Sequence, residues 1–146
     1  MQQMVREFLI SDDPALLQVD AIHAMLAKSY WASERTRETI ERSVAHSLCF
    51  GVYQAGEQIG FARCITDYAT SFLLVDVIID DRFRGQGLGK ALVSFVVSHE
   101  SLQGLTGTLA TRDAHTLYER FGFMQVDPKL YMRKPAAKPA PVEAER

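Results

Sequence analysis

The chain predicts as an α+β fold, an α/β sandwich around one sheet, on two observations. Its apolar residues recur at helical spacing to about His46, switch to a period of two through three consecutive strands, and return to helical spacing after a glycine-rich turn. Its 146 residues suit one core-bearing domain. Residues 1–133 are taken as that domain. From Lys134 onward a Pro/Ala and charged tail cannot pack a core and is expected to be disordered.

Val5–Ile10 reads as a first strand, followed by Asp12-Asp13-Pro14, a turn and helix start. Val19, Ile22, Leu26 and Tyr30 then share one helical face, and Thr36 is placed to cap a second helix running to about His46. Leu48–Gln54 and Gln58–Asp67 are strands joined by a short turn at Ala55-Gly56-Glu57. Phe72–Asp80, the most hydrophobic segment, is expected at the centre of the sheet. After the turn, Leu88, Ala91, Leu92, Phe95, Val96 and His99 form one helical stripe. Leu105–Thr111 reads as a strand and Ala114–Arg120 as a short helix. Phe123–Val126 with Tyr131–Arg133 reads as a terminal hairpin. The strands should be antiparallel at first and joined by a crossover helix later.

Composition narrows the function. A net charge of -2 provides no global drive toward nucleic acid or an anionic membrane. Apolar runs are strand-sized, and Met1–Glu7 lacks the order of a secretory signal. Cys49 and Cys64 have no metal-ligand spacing and make no disulfide framework. The expectation is a cytoplasmic protein with no metal, no nucleic-acid partner and no membrane partner.

The most informative segment is Asp81-Arg-Phe-Arg-Gly-Gln-Gly-Leu-Gly89, where a strand opens through three glycines into a helix. Unpaired N–H groups and the helix dipole favour an anion there, and Gly85, Gly87 and Gly89 let a diphosphate approach the backbone. Arg82, Arg84 and Lys90 add positive charge. A P-loop needs a first glycine where Arg84 stands and a Ser/Thr where Ala91 stands. The dinucleotide fingerprint fails as well, since Gly85-x-Gly87 is followed by Leu88-Gly89-Lys90. A plain strand-to-helix turn would not need three glycines.

Arg84-Gly85-Gln86-Gly87-Leu88-Gly89 resembles instead the R/Q-x-x-G-x-G/A acetyl-CoA motif of the GCN5-related N-acetyltransferases (GNAT). Ala114-His-Thr-Leu-Tyr118-Glu-Arg-Phe-Gly122-Phe123 resembles that family's A-x-x-L-Y-x-x-x-G-F segment, and the likeness runs from about Phe50 to Tyr131. Ser29-Tyr-Trp-Ala with Arg35 further resembles a bacterial subgroup of that family. The resemblance implies a mixed sheet of about six or seven strands flanked by about four helices. It also implies acetyl-CoA as cosubstrate and direct acetyl transfer to a primary amine of a small or amino-acid-like acceptor. Family analogy admits a homodimer. The competing class is a non-catalytic acyl-CoA sensor or interaction domain.

By that resemblance the pyrophosphate sits on Arg84, Gly85, Gln86, Gly87, Leu88 and Gly89 beside Lys90, and the pantetheine arm pairs with the backbone of Val77, Ile78 and Ile79. A bulge in that strand is expected to free those groups. Tyr118 matches the family's acid for the leaving thiolate; its alternative is a core tyrosine. Asp76 is the candidate base, or else a salt-bridged aspartate. Leu73 stands where the histone-modifying branch carries a glutamate. Thr111, with Asp113 near it, stands where many relatives place an asparagine that contacts pantetheine. Tyr30, Trp31 and Arg35 fall where the family covers its acceptor, through aromatic and carboxylate contacts, or else complete a helix packing face. His115 is an outside candidate near the same centre.

Overall fold

The computed structural model describes residues 1–137. Six strands, β1 (Gln2–Val5), β2 (Phe8–Ser11), β3 (Leu48–Gln54), β4 (Glu57–Thr66), β5 (Ser71–Ile79) and β6 (Thr106–Thr108), form one sheet in chain order. The first five are antiparallel and β6 lies parallel to β5. Four helices accompany them: α1 (Val19–Leu26), α2 (Arg37–Ala45), α3 (Leu88–Val97) and α4 (His115–Glu119). This is the expected α+β architecture.

Strand alternation separates the core into two halves. Phe50, Val52, Ala62 and Cys64 face α3 and α4, whereas Cys49 and Phe61 face α1 and α2. Leu88, Leu92, Val93, Phe95 and Val96 bury the predicted stripe of α3 against the first set. Each such side chain contributes roughly 1.5–3 kcal/mol by leaving water. Thr36 caps α2 as predicted, its hydroxyl accepting from the Thr39 N–H at 3.2 Å.

β5 breaks the alternation. Asp76 has φ 56°, and the register slips so that Asp76 and Val77 together oppose Ala62. This is a bulge. Phe72 and Leu74 face α3, yet beyond the bulge Val77 and Ile79 take that face and Ile78 turns toward α1. The pleat has been shifted by one residue.

Several boundaries differ from expectation. Val5–Ile10 is not one strand: Arg6, at φ 53°, turns the chain between β1 and β2. Tyr30 lies beyond α1, because the Ser29 side chain donates to Leu26 O and accepts from the Ala32 N–H, folding the chain into a turn. His99 leaves the α3 stripe, and its Nδ1 accepts from the Ser101 N–H to cap a 3₁₀ turn. Only Thr106–Thr108 of the Leu105–Thr111 segment pairs. The terminal hairpin does not form. Pro128 has no N–H to give a ladder, and the Asp127 carboxylate accepts from the Lys129 N–H to close a 3₁₀ turn over Pro128–Leu130. Residues 134–137 carry no regular structure, and the remainder of the expected tail lies outside the described residues.

Candidate active site

β6 pairs with β5 only at Ser71–Leu73. Beyond Leu73 the two strands part, which leaves the β6-facing edge of the Val77–Ile79 backbone open. A cleft of about 450 Å³ occupies the gap, bounded by Val77–Ile79, the glycine loop, Tyr118 and Trp31.

At the loop, Asp80 Oδ1 accepts from the Arg82 N–H and starts a 3₁₀ turn over Asp81–Phe83. Gly85 and Gly87 each have φ 79°, which side-chain-bearing residues adopt at a cost. Their left-handed turns aim the chain into α3, whose earliest helical bond is from Ala91 N–H to Gly87 O at 3.1 Å. The preceding N–H groups point off the helix end toward the cleft. Arg82 is drawn away to Glu57 and Asp80, and Arg84 bonds Asp81 at 3.0 Å and Ile79 O at 3.3 Å. Arg6, which sequence reasoning missed, donates to Gln86 O at 2.7 Å. The only signal that could have found it is its position at the strand turn, 80 residues away in sequence.

The A-x-x-L-Y-x-x-x-G-F pattern proves to be a helix with its stop. Gly122, at φ 90°, lets its own N–H reach Glu119 O and lets the Phe123 N–H reach Tyr118 O at 3.3 Å. That is the Schellman arrangement, which also sets Phe123 against the helix three positions from its end. The Phe123 and Tyr118 rings meet edge-on at 6.0 Å. Tyr118 is thereby locked at the cleft wall. Burial pushes its hydroxyl above the ordinary phenol range, with Tyr30 and Asp113 adding to the effect.

Asp76 is the hub of a buried polar network, its side chain 2% exposed. Its Oδ1 accepts from Trp31 Nε1 at 3.0 Å, and its Oδ2 from Arg35 Nη1 at 2.8 Å and Arg63 Nε at 3.0 Å. Arg63 Nη1 continues to Ser47 Oγ at 3.1 Å. Arg63 was not singled out from the sequence, where it is one charge inside an apolar strand; that misfit was the available signal. The bulge sends Asp76 to the α1–α2 face, where these donors lie.

Of the residues proposed from sequence, Trp31, Val77, Ile78, Ile79, Arg84, Gly85, Gly87, Leu88, Gly89 and Tyr118 converge on the cleft. Gln86 and Lys90 are exposed beside it. Arg35 and Asp76 stand behind Trp31 as its support. Tyr30 packs edge-on against Trp31, with ring centroids 5.0 Å apart. Thr111 Oγ1 accepts from the Ala114 N–H at 3.0 Å, capping the entry to α4. His115 is exposed and does not line the cleft.

A sheet that splays beside a glycine turn and a helix N-terminus is an arrangement suited to an extended, anionic ligand. The model of the acetyltransferase (GNAT) domain matches residues 45–125. A Xanthomonas campestris structure assigned to the GNAT family shares 40% identity and a TM-score of 0.85, covering 91% of this chain and 96% of that one. A Gibberella zeae protein assigned to the acetyltransferases is 34% identical over 67% of this chain, and the chain spans 66% of its length. An Elizabethkingia anophelis GNAT acetyltransferase with acetyl-CoA bound has the same fold, with a TM-score of 0.64 at 16% identity over 92% of this chain and 90% of that one. The chain belongs to the GCN5-related N-acetyltransferase family. Among the described residues no helix is long and apolar enough to cross a membrane.

Proposed function

We propose that this chain transfers the acetyl group of acetyl-CoA directly to a primary amine of a small or amino-acid-like acceptor. The observation that carries the reading is a buried Tyr118 hydroxyl at the wall of a cleft that joins an open strand edge to a helix N-terminus. In this reading the Arg84–Gly89 turn and the start of α3 hold the pyrophosphate, and the free edge of Val77–Ile79 hydrogen-bonds the pantetheine amides.

The neutral amine attacks the thioester carbonyl, forming the C–N bond as the C–S bond breaks. A backbone N–H of β5 stabilises the oxyanion. Tyr118 gives its proton to the departing thiolate, the acylated nitrogen sheds its surplus proton to solvent, and Tyr118 is reprotonated from solvent. The acceptor ammonium loses its proton to water at the open mouth. Asp76 serves as an anchor: its oxygens are filled by three N–H donors, so its contribution is to hold Trp31 and Arg35 in place. Two buried, unpaired thiols fit a reducing, cytoplasmic setting, and burial pushes both Cys49 and Cys64 up to about 12, so neither acts as a nucleophile.

The test is release of free CoA thiol from acetyl-CoA across a panel of amines and amino acids. Acceptor-dependent release is expected; acetyl-CoA binding without release under any acceptor would support a sensor. Tyr118→Phe should lower kcat about a hundredfold and leave acetyl-CoA affinity nearly unchanged. Because its pKa is raised, the acid stays protonated as pH climbs, so kcat should show no alkaline decline below about pH 10. A decline centred near pH 8 that persists in Tyr118→Phe would assign the acid to another group.

A further inference from the structure

Two charges near the cleft, Arg112 and Asp113, stand exposed just ahead of α4. Arg112 stacks on Tyr30, its guanidinium carbon 3.8 Å from the ring centroid. Stacking occupies the face of a guanidinium and leaves its in-plane N–H donors available, the geometry that grips a carboxylate with two parallel bonds. Other arginines near the cleft are committed: Arg35 and Arg63 to Asp76, Arg82 to Glu57 and Asp80, Arg84 to Asp81. Among the described residues, no carboxylate lies within ion-pair distance of Arg112. Among the same residues, no cation lies within that distance of the neighbouring Asp113.

Position ties this pair to the reaction centre. Tyr30, beneath Arg112, packs on Trp31, which lines the cleft. Arg112 and Asp113 immediately precede α4, the helix that presents Tyr118. Tyr30 and Asp113 are also both close enough to Tyr118 to raise its pKa. Charge agrees with this placement, because the Asp76 hub behind Trp31 joins two arginines to one carboxylate and is itself net positive.

We propose that the Arg112–Tyr30 stack is an acceptor subsite for a carboxylate, so that the acceptor is an amine bearing a carboxyl group close to its amino group. Arg112 takes the carboxylate, Asp113 attracts the ammonium before it deprotonates, and Trp31 covers the carbon between them. The proposal rests on the acetyl-transfer reading of the cleft and supplies its substrate class.

Trp31 is the only tryptophan of the chain, so its fluorescence reports this subsite directly. The CoA-loaded protein would be titrated with pairs that differ by one carboxylate: glycine and methylamine, L-alanine and ethylamine, L-phenylalanine and phenethylamine. At least one amino acid should bind roughly tenfold more tightly than its decarboxylated partner, the scale of a charge-assisted bidentate contact. Arg112→Gln should remove most of that difference with CoA affinity unchanged, and Arg112→Lys should restore part of it. Equal binding within every pair, no binding by any member, or a preference that survives Arg112→Gln would overturn the proposal. Failure of the wild-type protein to bind CoA would instead overturn the reading of the cleft. Arg112 is exposed, so circular dichroism of Arg112→Gln should match wild type.

Discussion

One wall of the cleft, Arg84–Gly89, presents backbone N–H groups supplied by six consecutive residues. The facing wall presents Trp31 and the edge of β5, held by a network drawn from the α1–α2 connection, Ser47 ahead of β3, β4 and β5. The glycine wall works through local dihedral angles, so damage to it should be confined. The tryptophan wall depends on a buried charge cluster, so damage to it should spread to the fold and to both substrates.

The comparison breaks most sharply at Asp76. Asp76→Ala strands Arg35 and Arg63 and should cost about 3–5 kcal/mol of stability, read as a lowered urea midpoint. Asp76→Asn keeps a residue that tolerates the left-handed conformation and should cost less. If Asp76 is an anchor, Asp76→Asn lowers activity without moving the pH profile. Loss of the acidic limb of that profile would make it the base after all.

A smaller effect is expected at Gly87. Gly87→Ala meets no neighbour within 4 Å but must hold φ 79°, a strain of about 1–2 kcal/mol. It should raise the KM for acetyl-CoA and leave the acceptor preference intact. A change in acceptor preference would show that the two walls are coupled. The smallest expected effect is that of Arg6→Ala, which removes an exposed bond to Gln86 O. A rise of about two- to fivefold in the KM for acetyl-CoA with an unchanged urea midpoint corresponds to the low end of a single hydrogen bond, about 0.5–1 kcal/mol.

The glycine loop, the α3 stripe, the Thr36 cap and the A-x-x-L-Y-x-x-x-G-F stop were legible because each is enforced within a few residues. Glycines admit left-handed angles, a hydroxyl reaches an N–H three positions on, and an apolar stripe repeats every turn. Asp76 could be singled out as costly in an apolar strand, but its partners could not be read. Trp31, Arg35 and Arg63 meet it across separations of 45, 41 and 13 residues. The terminal hairpin expected from Phe123–Val126 and Tyr131–Arg133 gave way to the turn capped by Asp127 at Pro128.

By itself, then, the order of residues determined most of the element sequence, the family and the glycine turn that opens α3, because these follow from local geometry. The parity change at Asp76, the parting of β5 from β6, the clamp of Arg6 and the stacking of Arg112 on Tyr30 were decided only in three dimensions. Each depends on which distant donor or ring the sheet brings within a few ångströms, and short-range pattern contains no record of that distance.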